Sequence, residues 1–303
     1  MLPCGGVEVD QDAYIKGLKP ITHTDLVGKA AEAPLPDHIH ASFWSLLGAV
    51  AYALLTQHWV AVYVVALQRK THSAQVIHVR RLNAIVRALQ ARPARITYRG
   101  MDCTSTLECH SDSGFSKEQD SGYGIRGANF ARAGTARTNK QPIWHLIDSQ
   151  CKGHKHVTRS SFASEVRAAV AAADEILPLA LTLHELKAGP KPPSETRRLC
   201  DEGRLSIKTV LVTDSMSLWA AVAASTMRIP SEKNLAVHMF WLRELLDRRQ
   251  LHVLRWCDTR DMSADAHTKG SIPRDAILDL MEGYFKYQHP TKDFSSPKPR
   301  GSE

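Results

Sequence analysis

Four carboxylates are placed where they could do chemistry together: Asp112, Glu165, Asp214 and Asp265. Asp112 closes a short strand-like run, LECHSD. Asp214 closes a continuous apolar run, IKTVLVTD, the pattern of a buried central strand. Glu165 falls in the first turn of the strongest helix, and Asp265 just before or within the first turn of the last one. In an α/β sheet, the C-terminal ends of strands and the helix starts that follow them face one crevice, where ligands bind. Acids meeting there repel: one like-charged pair at 4 Å costs about 4 kcal/mol at an effective dielectric of about 20. Such a cluster needs cations. A pair of Mg²⁺ ions, or Mn²⁺, supplies them through oxygen-only ligands. Each acid taken alone has a plainer explanation as a helix cap or a complement to a helix dipole. Their joint placement is what points to metal chemistry.

Basic residues accompany the acids. Lys152, Lys155, Arg159 and Arg167 flank Glu165 in sequence and could contact phosphates. A solvated charged face explains the same run equally well. His267, two residues beyond Asp265, could assist proton transfer. Cys151, His154 and His156 have metal-ligand chemistry but no distant partner pair at zinc spacing. Gly122, Gly124 and Gly127 lie in a strand-like segment that no helix follows, which excludes a dinucleotide fingerprint.

The elements that must position these groups read as follows. Residues 1–40 contain Pro and His and are weakly periodic, an irregular leader. Residues 41–68 carry no Asp, Glu, Lys or Arg, a length and composition that suit either a membrane span or two buried helices, 41–56 and 59–69. The polar triplet Thr56-Gln57-His58 would fall mid-bilayer and favours the two helices. Val76, Val79, Leu82, Ile85, Val86 and Leu89 mark one face of a further helix, stopped by Pro93. From about residue 94 strands take over: ITYRG, LECHSD, GYGIRGANFAR and PIWHLIDS. The helix SSFASEVRAAVAAADEIL has one apolar stripe, and Pro178 is expected to kink or end it. Residues 188–204 read as a loop. IKTVLVTD and LHVLRW follow as strands, with helices at about 216–226 and 232–249, and a last helix in PRDAILDLMEGYF. Residues 286–303 read as a disordered tail. The sum is an α/β layer with helices packed on a mixed sheet over residues 104–285, preceded by a helical region at 41–97.

The formal net charge of +8 and pI of about 9.2 favour polyanionic partners. Six cysteines without a CxxC pair are too sparse for a disulfide scaffold and suit reduced thiols in an intracellular, cytoplasmic or nuclear protein.

Motif order now adds a resemblance. The runs HSDSGF, GYGIRG, PIWHLIDSQCKGHKHVTRSSFASEVRAAV, VTDSMSLWAAV and FWLRELLDRRQLHVLRWCDTRDMSADAHTKG succeed one another as in the ribonuclease H domain of copia-type LTR retrotransposon polyproteins. Residues 41–92 resemble the connection segment that precedes that domain. The resemblance implies a ribonuclease H-like fold, a mixed five-stranded sheet with helices on both faces. It implies an endonuclease hydrolysing the RNA strand of RNA–DNA hybrids by two-metal catalysis, with Asp112 bridging both ions. Asp214 and Asp265 would then hold the metal that activates water, and Glu165 the other, within reach of the RNA 2′-OH. The implied partners are an RNA–DNA hybrid or other nucleic acid and other parts of the polyprotein, with no membrane. No Tyr-x-Asp-Asp polymerase motif occurs, so the chain reads as a C-terminal reverse transcriptase fragment. Ser215 stands where the family has Asn, and the segment 128–140 is an insertion. These departures keep open an alternative, a catalytically decayed nucleic-acid-binding module.

Overall fold

The computed structural model describes residues 6–115, 124–227, 229–230 and 232–297. Gly122 and Tyr123 of the strand GYGIRGANFAR lie outside the described residues, as do Cys4 and residues 298–303 of the expected tail.

The N-terminal third is a helical unit. Helices α1 (Asp12–Gly17), α2 (Asp37–Ala53), α3 (Ala61–Gln68) and α4 (Val76–Ala91) enclose a core of Phe43, Val50, Val64, Leu82, Val86 and Leu89. Two strands, β1 (Val7–Val9) and β2 (Ile96–Tyr98), pair antiparallel and join the start of this unit to its end. The apolar run 41–68 is two helices, and no described helix is long and apolar enough to cross a membrane. Gln57, between α2 and α3, is fully buried and satisfied. Its amide donates to the Ala94 carbonyl (2.7 Å), and its oxygen accepts from the Ala94 N–H (2.9 Å) and the Trp59 indole (3.1 Å). The polar break in the apolar run is therefore a clamp on the exit strand.

Residues 1–40 are not irregular throughout. Ile15, Leu18 and Leu35 are buried in the helical core, so this segment covers it. It lacks periodicity because it contributes single side chains rather than a stripe.

The second unit is a mixed six-stranded sheet in the order β5-β4-β3-β6-β7-β8. Strands β3 (Met101–Gly114), β4 (Ile125–Ala136) and β5 (Pro142–Gly153) form an antiparallel meander. Strands β6 (Lys208–Thr213) and β7 (Val253–Trp256) continue from β3 in parallel. The sixth strand, β8 (Lys292–Phe294), lies in the expected tail and corrects the five-stranded expectation. It is fixed by ion pairing of Arg255 to Asp293 at 2.7 and 2.9 Å, which a polar, Pro-flanked tripeptide does not announce.

One face of the sheet carries α5 (Ser161–Ala188), α7 (Met216–Ala223) and α8 (Asn234–Asp247) over Leu107, Cys109, Phe130, Leu211 and Leu254. The small residues Ala163, Ala169, Ala173 and Ala180 let α5 lie close against the strands. α5 starts at Ser160, whose hydroxyl accepts from the Ala163 N–H, and stops at Gly189 with a positive φ of 79°. It runs through Pro178 without ending, because Ile176 and Ala180 on either side are fully buried. The expected loop 188–204 contains α6 (Pro193–Asp201), started by a proline at its first position. The other face is covered by α9 (Asp275–Glu282) and the chain after it, through Ile277, Met281 and Phe285 against Trp144 and Leu146.

Candidate metal centre

The site follows from the parallel pairing of β3 with β6. His110 sits opposite Val212, so two residues further on Asp214, just past the end of β6, comes alongside Asp112, which is still in β3 and opposite Gly127 of β4. α5 packs over β3 and brings Glu165 to the same end. Glu165 lies just past the first turn, not within it. Asp112, Glu165 and Asp214 each offer a carboxylate oxygen, and these oxygens all lie within 4.8 Å of one another. Asp112 is 1% exposed and Glu165 and Asp214 are half-buried, so this acidic triad is both sheltered and reachable, with the chemistry to hold a metal ion.

Asp265 is not on a helix start. It sits in a short 3-10 turn, Ser263–His267, ten residues before α9. That turn lies directly on β4 because residue 127 is glycine: a Cβ there would come within 2.6 Å of the His267 Cβ and 2.8 Å of the Ala264 carbonyl. A polar chain fixes it. Ser263 bonds the His110 Nδ1 (2.9 Å) and accepts from Asn129 (3.0 Å), and the Asn129 oxygen meets the His267 Nε2 at 2.7 Å.

Asp265 joins the triad through a lysine. Lys269 Nζ is 2.7 Å from Asp265 Oδ1 and 3.7 Å from Asp112 Oδ1. Thr268 donates its hydroxyl to Asp112 Oδ2. Asp214 accepts from Thr259 at 2.9 Å. Lys269 and Thr268 are thus members of the site that its acids alone did not reveal; Lys269 is four residues beyond Asp265, a spacing that meets on one turn.

The electrostatics match four crowded acids. Burial, followed by repulsion from Asp112 and Asp214, pushes Glu165 up to about 9, against the opposing pull of Lys269. Burial and then Asp112 raise Asp265 to about 7. Asp214 is raised for the same two reasons. Burial would lower Lys269, but Asp112, Asp265 and Asp214 together raise it and keep it charged.

A second network ties the three elements of the triad's neighbourhood. Ser113, beside Asp112, bonds His154 Nε2 at 2.8 Å and also meets the Ser164 hydroxyl. Ser164, beside Glu165, reaches the same nitrogen at 3.1 Å. His154 is therefore a strut between β3, α5 and the end of β5, and burial, helped by Arg126 and Arg167, lowers it to about 4. Cys151 donates to the His267 carbonyl.

His267 is not a proton carrier. It is fully buried, burial pushes it down to about 3, and it serves the turn through Asn129. Of the basic residues, Lys155, Arg159 and Arg167 line one open pocket with His156, Lys233 and Glu232 beside the start of α5. Lys152 lies instead on β5, opposite Arg126. Ser215 caps α7, its hydroxyl accepting from the Leu218 N–H, a role Asn fills equally well. Among the described residues, Cys109, Cys151, Cys200 and Cys257 are unbridged.

No protein family, curated protein or solved structure matches this chain. The functional reading therefore rests on the geometry and on the sequence motifs.

Proposed function

We propose that the protein is a metal-dependent, ribonuclease H-like endonuclease that hydrolyses the RNA strand of RNA–DNA hybrids, derived from a copia-type retrotransposon polyprotein. The observation that carries the reading is the meeting of Asp112, Glu165 and Asp214 at the C-terminal end of two parallel strands, with Asp265 linked to them through Lys269. Its support is that acids from three separate stretches of sequence meet on a mixed sheet, with a fourth tied to them by a lysine, in the order the motifs imply. Buried carboxylates that repel one another suit hard divalent cations, Mg²⁺ or Mn²⁺. Such ions would polarise a scissile phosphate and supply a nucleophilic water.

The chain's own residues do the rest. Asp112, Glu165 and Asp214 would hold the ion, and Asp265 completes the set when Lys269 moves aside. Thr268 orients Asp112, and the His154 strut holds β3 and α5 in register. Lys155, Arg159 and Arg167 lie beside α5 where a nucleic-acid backbone would pass, and their phosphate contacts would make binding salt-sensitive.

The test is cleavage of a labelled RNA–DNA hybrid with and without Mg²⁺, with Asp214→Asn as control. Metal-dependent cutting of the RNA strand, lost in the variant, is expected. Hybrid binding without cleavage in either Mg²⁺ or Mn²⁺ would replace the enzyme by a nucleic-acid-binding module.

A further inference from the structure

A second group of metal-ligating side chains lies far from the acidic triad in sequence, on the helical unit. His23 and Asp25 flank Thr24 in a short 3-10 turn (Thr24–Leu26), and His38 is the second residue of α2. One ligand atom from each lies within 4.8 Å of the others. The His38 Nε2 is 3.1 Å and the His23 Nδ1 3.7 Å from the same oxygen, Asp25 Oδ2. In a tetrahedral zinc site with bonds of about 2.0–2.1 Å, neighbouring ligand atoms are about 3.3–3.4 Å apart. The two distances bracket that edge, and the two imidazole nitrogens lie within 4.8 Å of each other, so exposed side chains need only close on the ion without a backbone change.

The positions are held from behind. Asn83 of α4 clamps Ile21 on both sides, accepting from its N–H and donating to its carbonyl, each at 2.8 Å. Leu26 packs on the helical core. His38 follows Pro36 at the rigid start of α2. The tautomer is also set. His23 Nδ1 accepts the Asp25 N–H at 3.2 Å, so its proton is on Nε2 and the lone pair facing Asp25 is the one a metal needs. Binding would exchange that amide bond for a metal bond.

We infer that His23, Asp25 and His38 form a second metal site, for a borderline divalent ion of the Zn²⁺ class. Two imidazoles and one carboxylate on one side of the ion leave coordination positions open to water. Two of the three donors are imidazole nitrogens, which suit Zn²⁺ better than the hard, oxygen-seeking Mg²⁺, so this site and the acidic triad favour different ions. A bound ion would staple the segment before α2 to that helix.

The experiment uses the full chain without an affinity tag, stripped with chelator and then held in excess Mg²⁺ to occupy the acidic triad. Zn²⁺ is titrated calorimetrically, and melting is followed in parallel. Binding of one Zn²⁺ per chain with a rise in melting temperature is expected, with at least a tenfold loss of affinity in His23→Ala/His38→Ala. These side chains are exposed, and the variant's melting temperature without zinc should equal that of the native sequence. Absence of zinc binding, or equal affinity in the variant, overturns the site.

Discussion

Replacing Glu165 by Gln removes the charge most penalised by its surroundings while preserving the shape of the side chain. Its carboxyl rises from 4.5 to about 9 on folding, first through burial and then through Asp112 and Asp214. A raised carboxyl pKa is a cost that begins as pH passes the unfolded value and grows until the folded one. At pH 7 the unfolded chain has ionised and the folded one has not, a gap of about 2.5 pH units. At about 1.4 kcal/mol per unit, that is about 3 kcal/mol of stability withheld. In chelator, Glu165→Gln should therefore be the more stable protein by about 3 kcal/mol at pH 7, with the two proteins converging as pH falls below the unfolded value of 4.5. Urea unfolding across that range measures it. Added Mg²⁺ should reverse the order, because only the native acid gains a cation. A variant that is no more stable at pH 7, or a gap independent of pH, would refute the crowding of charge on which the metal reading depends.

Three further outcomes are expected. Lys269→Met should lower melting stability in chelator by about 2 kcal/mol, since Asp112 and Asp265 lose their cation, yet enlarge the stabilisation given by Mg²⁺; a fall of equal size with and without metal would make the lysine merely structural. Gln57→Leu should cost about 2–4 kcal/mol in thermal unfolding by stranding the buried Ala94 N–H and carbonyl, and a neutral result would remove the clamp from the account. Arg167→Glu should weaken hybrid binding and flatten its dependence on log salt concentration by about one unit or more; an unchanged slope would take the basic pocket off the nucleic-acid path.

The parts of this architecture legible in the sequence were those with local signatures. The run IKTVLVTD announced both a central strand and the acid at its end, and the apolar stripe of residues 160–177 announced the helix over it. Asp265 was legible as an acid but not in its setting. Its turn is held by Gly127, Asn129 and His110 from strands more than 130 residues away, and no local pattern encodes that contact. His267 misled for the same reason: a histidine beside an acid suggests proton transfer, and only the packed structure shows it sealed from water. β8 and α6 were missed because pairing with Arg255 and a proline start, rather than periodicity, define them.

The helical unit reaches into the metal centre's loop. Tyr63 of α3 donates to the Gly270 carbonyl at 2.6 Å and accepts from Arg274 at 2.8 Å, while His58 meets Ser149 of β5. Gly270 directly follows Lys269. Cutting the chain after Arg99 to obtain the sheet alone would thus cost more than a neighbour: it would unbutton the stretch that presents Thr268 and Lys269 to the acids. Inheritance and engineering alike must treat the two units as one working part, with α3 as the backstop of a loop encoded some 200 residues downstream.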